Sequence, residues 1–311
     1  MKRGSKGTKS SLTKEKKGAG ESVAQLLFTL CASCTILAVV AITVYLVGNG
    51  TPALFEAGIK EILFGTQWKP TAAQSEFGIF YVILTSLVGT IMAVVLGVPI
   101  GVLTGIFLAE AANRKVSAMV KPAIELLAGI PSVIYGLLGV MILNPLMYKL
   151  ELAVFKDSAT HQFTGGANLL SAVLVLAIMI LPTVINMSET AIRAVDPKLK
   201  SASMALGASH METIFYVVVP AAKSGIIAGV VLGIGRALGE AMAITLVSGS
   251  SVNLPLPFNS VRFLTTAIVS EMGYASDLHR KVLFTIGLIL FVFIMLINLF
   301  LERVVKRRGM E

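Results

Sequence analysis

Long apolar runs separated by short polar stretches dominate the chain. Six of these runs are long enough to cross a bilayer, which takes about 20 residues of helix. Their centres lie near Val39, Val94, Leu138, Leu176, Gly233 and Leu290. Because backbone polar groups must be satisfied inside each span, the pattern predicts an all-α polytopic membrane protein with six transmembrane helices. An even number of spans places both termini on one side of the membrane.

Glycine and proline interrupt two of the runs. The third contains Gly-Ile-Pro-Ser-Val-Ile-Tyr-Gly at 129–136, which frees backbone groups within a span. Neighbouring helices or a water-lined cavity must satisfy those groups, although an ordinary kink is an alternative. The fifth run, residues 224–247, carries glycines 225, 229 and 233 at four-residue spacing. Such a ladder predicts a packed inner helix that another helix approaches closely.

The polar stretches divide the chain into four parts. Residues 1–24 are rich in lysine, glycine, serine and threonine and predict a disordered basic cytoplasmic tail. Residues 25–76 hold the first span, which is too long for the apolar core of a signal peptide, and an external segment over residues 49–76. Residues 77–302 hold the remaining spans, and residues 303–311 form a basic cytoplasmic C-terminus.

Composition and charge agree with a membrane protein. Of the 311 residues, 55% are hydrophobic and 14% are charged, whereas soluble domains carry about 25% charge. Eighteen of the 26 lysines and arginines fall on the side of the termini, and seven fall on the other side. The positive-inside rule therefore predicts cytoplasmic termini. The net charge of +9 reflects this topology, and nucleic acid is not expected as a partner.

The sequence lacks the residues that nucleotide hydrolysis and metal binding require. The sequence has no G-x-x-x-x-G-K-[ST] phosphate loop for nucleotide hydrolysis. Its histidines, His161, His210 and His279, fall in three separate loops without metal-ligand spacing. Cys31 and Cys34 lie within the first span and are interpreted as apolar filler. We therefore predict no catalytic residue, no metal site and no cofactor in this chain.

An arginine and a glutamate lie within the fifth apolar run. An arginine at the centre of a span costs roughly 2.5–3.5 kcal/mol on insertion scales. Arg236 lies roughly 18 Å from Ser224 at about 1.5 Å per residue, and Glu240 is expected one turn further on the same face. One hypothesis is that the two charges only neutralise each other within the helix. The alternative hypothesis is that Arg236 binds an oxyanion in a translocation path while Glu240 holds the guanidinium in place.

The longest cytoplasmic connection, residues 196–220, is predicted to be helical. Asp196-Pro197 has the form of an N-cap followed by proline at the first helical position. Spacings of three and four place Ala202, Ala205, Leu206 and Ser209 on one face. This face of small and apolar residues is expected either to dock into a groove of a soluble partner or to lie flat on the membrane.

Three motifs together resemble the permeases of phosphate ABC importers. The cytoplasmic motif of such permeases, E-A-A-x3-G-x9-I-x-L-P, is matched by Gly207, nine residues, and Val217-Val-Val-Pro220. Ser201-Ala-Ser203 departs from its Glu-Ala-Ala triplet, which weakens any ionic contact made there. The 129–136 motif and Arg236-Ala-Leu-Gly-Glu240 fit the same family. Residues 64–70 and Phe107-Leu-Ala-Glu110 resemble its PstC-type subunit.

The resemblance implies an ABC type I importer permease fold over residues 77–302. It implies a heterodimer with a PstA-type permease, a homodimeric ATPase that binds ATP-Mg, and an extracytoplasmic phosphate-binding protein, all at a bacterial plasma membrane. We assign the substrate path to Arg236, Glu240 and Ser132. The ATPase-coupling loop is assigned to Ala202, Ala205, Leu206, Gly207, Ala208 and Pro220. Alternatives are import of another oxyanion, sulfate or molybdate, and a membrane scaffold that relays phosphate status to a signalling partner.

Overall fold

The computed structural model describes residues 19–158 and 160–308, which are mostly helical. Packing separates the chain into two units, residues 1–47 and residues 48–311. The helices of the described residues are α1 (Ala19–Glu56), α2 (Ile59–Phe64), α3 (Phe80–Ile106), α4 (Arg114–Gly129), α5 (Ser132–Leu138), α6 (Asn144–Val154), α7 (Leu169–Arg193), α8 (Pro197–Ala205), α9 (His210–Thr213), α10 (Val219–Ala221), α11 (Lys223–Gly239), α12 (Met242–Val247), α13 (Leu264–Glu271) and α14 (Asp277–Arg308). Short π-helical segments are Phe107–Ala111, Gly139–Leu143 and Ile214–Val218. Strands β1 (Trp68–Lys69) and β2 (Glu76–Phe77) form an antiparallel hairpin.

Within residues 19–158 and 160–308, five of the six predicted spans are found as single helical stretches, and the sixth is found if a bent pair of helices is counted as one span. Five helical stretches are long and apolar enough to cross a membrane: Val23–Glu56, Phe80–Ala111, Ser132–Val154, Leu169–Arg193 and Asp277–Phe300. The sixth is a bent pair, His210–Ala221 followed by Lys223–Gly239 at an angle of 68°. The all-α fold class is therefore confirmed.

Two predicted segment boundaries differ from the structure. The first helix begins at Ala19 and ends at Glu56. Residues 19–24, expected in a disordered tail, and residues 49–56, expected in the external segment, are therefore helical. The rest of the predicted tail, residues 1–18, lies outside the described residues. At the other end α14 continues through 303–308, and residues 309–311 again lie outside the described part.

The third and fifth apolar runs are each divided between two helices. Ile130 is extended, with ψ of 126°, because the residue before a proline avoids the helical region. The motif at 129–136 therefore ends α4 and begins α5. In the fifth run α11 ends at Gly239, and Glu240 is extended with ψ of 129°. The predicted uninterrupted helix over 224–247 was wrong.

Helix α7 forms the centre of the second unit, between α3 and α11. Glycines of both neighbours allow the backbones to come close. A Cβ atom added at Gly101 of α3 would lie 2.8 Å from Cγ1 of Val184, and one added at Gly233 of α11 would lie 3.1 Å from Cγ2 of the same valine. The predicted role of the glycine ladder in helix packing is confirmed.

The same helix offers a matched pair of glycine substitutions. A Cβ atom at Gly229 would lie 2.6 Å from Cβ of Met187, whereas one at Gly235 would meet no atom within 4 Å. We expect Gly229→Ala to lower the free energy of unfolding by about 1–3 kcal/mol through overpacking. Gly235→Ala is expected to be neutral or stabilising, because alanine favours helix by up to about 1 kcal/mol over glycine. Thermal unfolding of both purified variants in detergent measures this, and equal melting temperatures would contradict it.

Candidate functional site

Arg236 lies in the last turn of α11, at the border of an open face of the helix. Among the residues that the structure describes, no atom lies within 4 Å of a Cβ added at Gly235 or Gly239 on that face. The half-buried Arg236 side chain forms no hydrogen bond or ion pair with any residue that the structure describes. The C-terminal end of a helix carries a partial negative charge, which favours a cation by about 0.3–1 kcal/mol. The guanidinium is thus held electrostatically while its donors remain available.

Glu240 has a different position from the one predicted. It lies beyond the end of α11, and the predicted Arg236–Glu240 pair on one helical face is wrong. Its Oε1 accepts a hydrogen bond of 3.0 Å from the backbone N–H of Ala243 at the start of α12. Its carbonyl oxygen accepts one of 2.6 Å from Oγ1 of Thr265. The acidic side chain satisfies a free N–H of the next helix, as capping residues do.

Ser132 lies at the first position of α5, where the third span begins. Its half-buried side chain is three residues before Tyr135, whose hydroxyl donates a 2.7 Å hydrogen bond to the carbonyl oxygen of Leu127 across the helix break. Tyr135 and Ala237, the neighbour of Arg236 on α11, belong to the same buried apolar cluster. The structure therefore brings α5 and the end of α11 near each other. Tyr135 lies in the 129–136 motif, but the sequence alone predicts no role for it, because its contacts cross a helix break that sequence spacing does not show.

The loop 196–220 is a chain of short helices, as predicted. Asp196 caps α8 by accepting a 2.9 Å hydrogen bond from the N–H of Lys198, so the predicted cap is confirmed. Gly207 has φ of +93°, a value that side-chain-bearing residues rarely adopt, and it forms the turn between α8 and α9. Ala202 and Ala205 on α8 are exposed, and Leu206 at its end is 90% exposed. Ser209 belongs instead to the next helix, where it is the N-cap of α9.

Specific contacts tie this loop to the end of the second span. Glu110 forms an ion pair with Lys200, and its carbonyl oxygen lies 3.4 Å from Nε2 of His210. Ala208 is half-buried in the turn, and Pro220 lies in α10 after the π-helical segment. Beneath them a cluster of buried apolar side chains joins the loop to α7 and α11: Ile106, Ile192, Val195, Ile214, Val218, Ala222 and Ile226. The loop is therefore connected mechanically to the helix that carries Arg236.

At the other end of the molecule, Glu271 holds a group of donors that sequence reasoning missed. Its carboxylate, 4% exposed, accepts hydrogen bonds from Nε1 of Trp68 at 3.0 and 3.1 Å and from Nε2 of His279 at 2.8 Å. Arg262 forms an ion pair with the same carboxylate. These contacts join the hairpin to the start of α14. The partners are distant in sequence, and the one signal available was an acidic residue in an apolar stretch.

Replacing Glu271 by glutamine is expected to destabilise the fold by about 3 kcal/mol, because it leaves the partly buried Arg262 without its counter-ion. Glu76→Gln is the matched control, since the Glu76–Lys69 pair at 3.4 Å is about half exposed and such pairs contribute about 0–1 kcal/mol. Melting temperatures of the two purified variants test the difference. A Glu271→Gln variant as stable as Glu76→Gln would contradict this role for the cluster.

Comparison with known proteins gives a consistent set of relatives. Residues 101–309 match the family model described as binding-protein-dependent transport system inner membrane component. The probable ABC transporter permease protein YqgH of Bacillus subtilis is 36% identical over 91% of this chain and 90% of its own. The phosphate transport system permease protein PstC of Haemophilus influenzae is 34% identical over 90% of this chain and 93% of its own.

Solved structures show the same fold. A bacterial alginate ABC transporter, crystallised with its pentasaccharide-bound periplasmic protein, aligns with a TM-score of 0.63 at 14% identity, over 92% of this chain and 96% of that chain. The MetNI methionine ABC transporter in an inward-facing form aligns with a TM-score of 0.52 at 19% identity, over 74% and 94% of the two chains. The predicted ABC importer permease fold is confirmed by these matches.

Proposed function

The chain belongs to the family of binding-protein-dependent transport system inner membrane components, as a multi-pass permease subunit of an ABC importer, and from this premise we propose that it imports inorganic phosphate. Relatives named as phosphate transport system permease proteins support this cargo over about 90% of the chain. The observation that carries the proposal is Arg236, an arginine with no described partner at the open face of a membrane-spanning helix.

Arg236 is suited to an oxyanion in chemical terms. A guanidinium presents a planar fork of donors that matches two phosphate oxygens at once. We propose that it binds phosphate transiently as the ion passes the open face of α11, with Ser132 at the start of α5 on the same path. The site must be weak, because a deep energy minimum would trap the ion.

Glu240 supplies a means of discrimination in this proposal. One carboxylate oxygen, Oε1, is engaged by Ala243, and Oε2 has no hydrogen bond with the residues that the structure describes. Monoprotonated phosphate can donate a hydrogen bond to such an acceptor, whereas fully ionised sulfate cannot. Glu240 therefore favours phosphate over sulfate without having to hold the guanidinium.

The other components follow from the division of labour in the family. A second permease of the PstA type would complete the path on the open side of α11. A homodimeric ATPase subunit would bind ATP-Mg and contact the exposed loop at Ala202–Ala208, and an extracytoplasmic phosphate-binding protein would deliver the ion. The permease would lie in the bacterial plasma membrane with both termini in the cytoplasm, as its lysine and arginine distribution predicts.

Uptake by vesicles that contain the complete importer tests the cargo. We expect ATP-dependent accumulation of radiolabelled phosphate that a hundredfold excess of sulfate or molybdate does not reduce. Accumulation of labelled sulfate or molybdate instead would establish the other oxyanion function. Absence of any uptake, together with co-purification of a kinase in place of an ATPase, would overturn transport in favour of the scaffold.

A further inference from the structure

A cationic cavity lies at the end of the molecule that carries the coupling loop. It has a volume of about 570 Å³, within the range of about 300–1,000 Å³ typical of small-ligand sites. Three cationic residues line it: Arg114 at the start of α4, Lys121 about two turns later, and Arg193 at the end of α7. We propose that this cavity binds the phosphate group of an anionic phospholipid.

The charges in the cavity are not balanced within the described chain. Lys121 and Arg193 share one carboxylate, that of Glu189, at 2.6 and 2.7 Å. Their side chains remain 40% and 48% exposed, so both can still face a ligand. Arg114 is exposed and pairs with no described residue, while the nearby Glu110 is engaged by Lys200. Three cations against one carboxylate leave two positive charges for an anion.

The position of the cavity selects a lipid over a free ion. Its walls include the ends of two membrane spans, since one span ends at Ala111 and another at Arg193. The cavity thus lies at the level where phospholipid headgroups meet the hydrocarbon core. Apolar residues complete the lining beside the cations, among them Leu108 and Ala112. A charged phosphate attached to an apolar tail fits both parts of this lining, whereas inorganic phosphate fits one.

Helix α4 gives independent support for contact with the membrane surface. Met119 and Leu126, seven residues apart on one face, are 77% and 72% exposed. Arg114 places a cation at the start of the helix. An amphipathic helix of this composition lies in the interface plane, with its apolar face in the acyl boundary and its cations near the headgroups. Basic pockets beside such helices bind anionic headgroups.

Lipid retention by the full chain, purified with the subunits that accompany it, tests the proposal. After equilibration with a mixture of phosphatidylglycerol and phosphatidylethanolamine, native mass spectrometry counts the phosphatidylglycerol that remains bound. We expect Arg114→Gln to reduce its retention about fivefold, the effect of one cation near a membrane surface. Arg114→Gln with Lys121→Gln is expected to abolish the preference for phosphatidylglycerol. Lys115→Gln removes the same charge next to the cavity without lining it, and is expected to behave as wild type.

Two outcomes would overturn the site. Equal losses in Arg114→Gln and Lys115→Gln would show attraction by general surface charge, and unchanged retention in the double variant would show that the cavity does not bind lipid. Inorganic phosphate at millimolar concentration is expected not to displace the lipid. Displacement by inorganic phosphate alone would assign the cavity to the free ion instead. None of these results depends on the transported cargo, so the site and the proposed phosphate import fail or stand separately.

Discussion

Replacing Arg236 by glutamine is expected to lower the rate of phosphate uptake by about two orders of magnitude without reducing the amount of protein in the membrane. The loss of one partner from a desolvated, hydrogen-bonded charge pair typically costs about 2–5 kcal/mol. The side chain makes no hydrogen bond or ion pair with the described residues, so its removal leaves no buried partner unsatisfied. The substitution also removes the cost of a charge within a span. Folding should therefore be unaffected or improved while transport fails.

The measurement is ATP-dependent uptake of radiolabelled phosphate by vesicles that contain equal amounts of assembled importer. Arg236→Lys keeps the charge but loses the planar fork, and we expect it to recover only part of the rate. Arg280→Gln, which removes a positive charge from an exposed position at the start of α14, is the control and should transport normally. Wild-type rates in Arg236→Gln would show that the arginine serves only the helix.

Glu240→Gln separates the two roles of the acidic residue. A glutamine oxygen can still accept the hydrogen bond from the N–H of Ala243, so the start of α12 remains capped. The amide has lost the charge and the second acceptor. We include this variant in the same uptake series, where competition by sulfate should increase if Glu240 contributes to discrimination. Unchanged competition would leave Glu240 with capping alone.

The long apolar runs were sufficient to predict the five spans that are single helical stretches, because the requirement for backbone hydrogen bonds in lipid allows few alternatives. The glycine ladder likewise predicted a close helix contact, and the neighbour is α7, approached at Gly225, Gly229 and Gly233. Local chemistry also predicted the cap at Asp196. In each case the relevant interaction is repetitive or lies within a few residues.

The predicted Arg236–Glu240 pair failed because helical spacing was extended through a point where the helix ends. Residues 235–241 contain two glycines, and the tertiary contact between Thr265 and the carbonyl of Glu240 favours the extended conformation there. The Glu271 cluster was missed for a related reason. Its donors are supplied by Trp68, Arg262 and His279, and only the fold brings them together. The positions of these side chains therefore depend on long-range contacts.

The exposed end of α8 gives the second large expected effect. Leu206 is 90% exposed and follows directly on Ala202 and Ala205, so a sizeable apolar side chain faces outward beside small ones. A cavity of the ATPase subunit that accepted this side chain would bury it on assembly. We expect Leu206→Asp to weaken ATPase binding about thirtyfold, since truncation of a central interface residue costs about 2 kcal/mol or more and each 1.4 kcal/mol is a factor of ten. The isolated chain should unfold at the wild-type temperature, because the side chain packs little within it.

Titration of the ATPase subunit onto permease in lipid nanodiscs measures the affinity, and uptake-coupled ATP hydrolysis measures its consequence. Leu254→Asp makes the same change at a 44% exposed position in the loop between α12 and α13, and should bind the ATPase normally.

Gly207→Asp adds a charge next to Leu206 and forces a side chain into a φ of +93°, so it should insert into the membrane yet abolish coupled hydrolysis. Because the loop is joined through its buried cluster to α7 and α11, disrupting it at Leu206 or Gly207 should stop phosphate movement past Arg236 even though that site is intact. Normal coupling in both variants would exclude this surface as the route by which hydrolysis reaches the transport path.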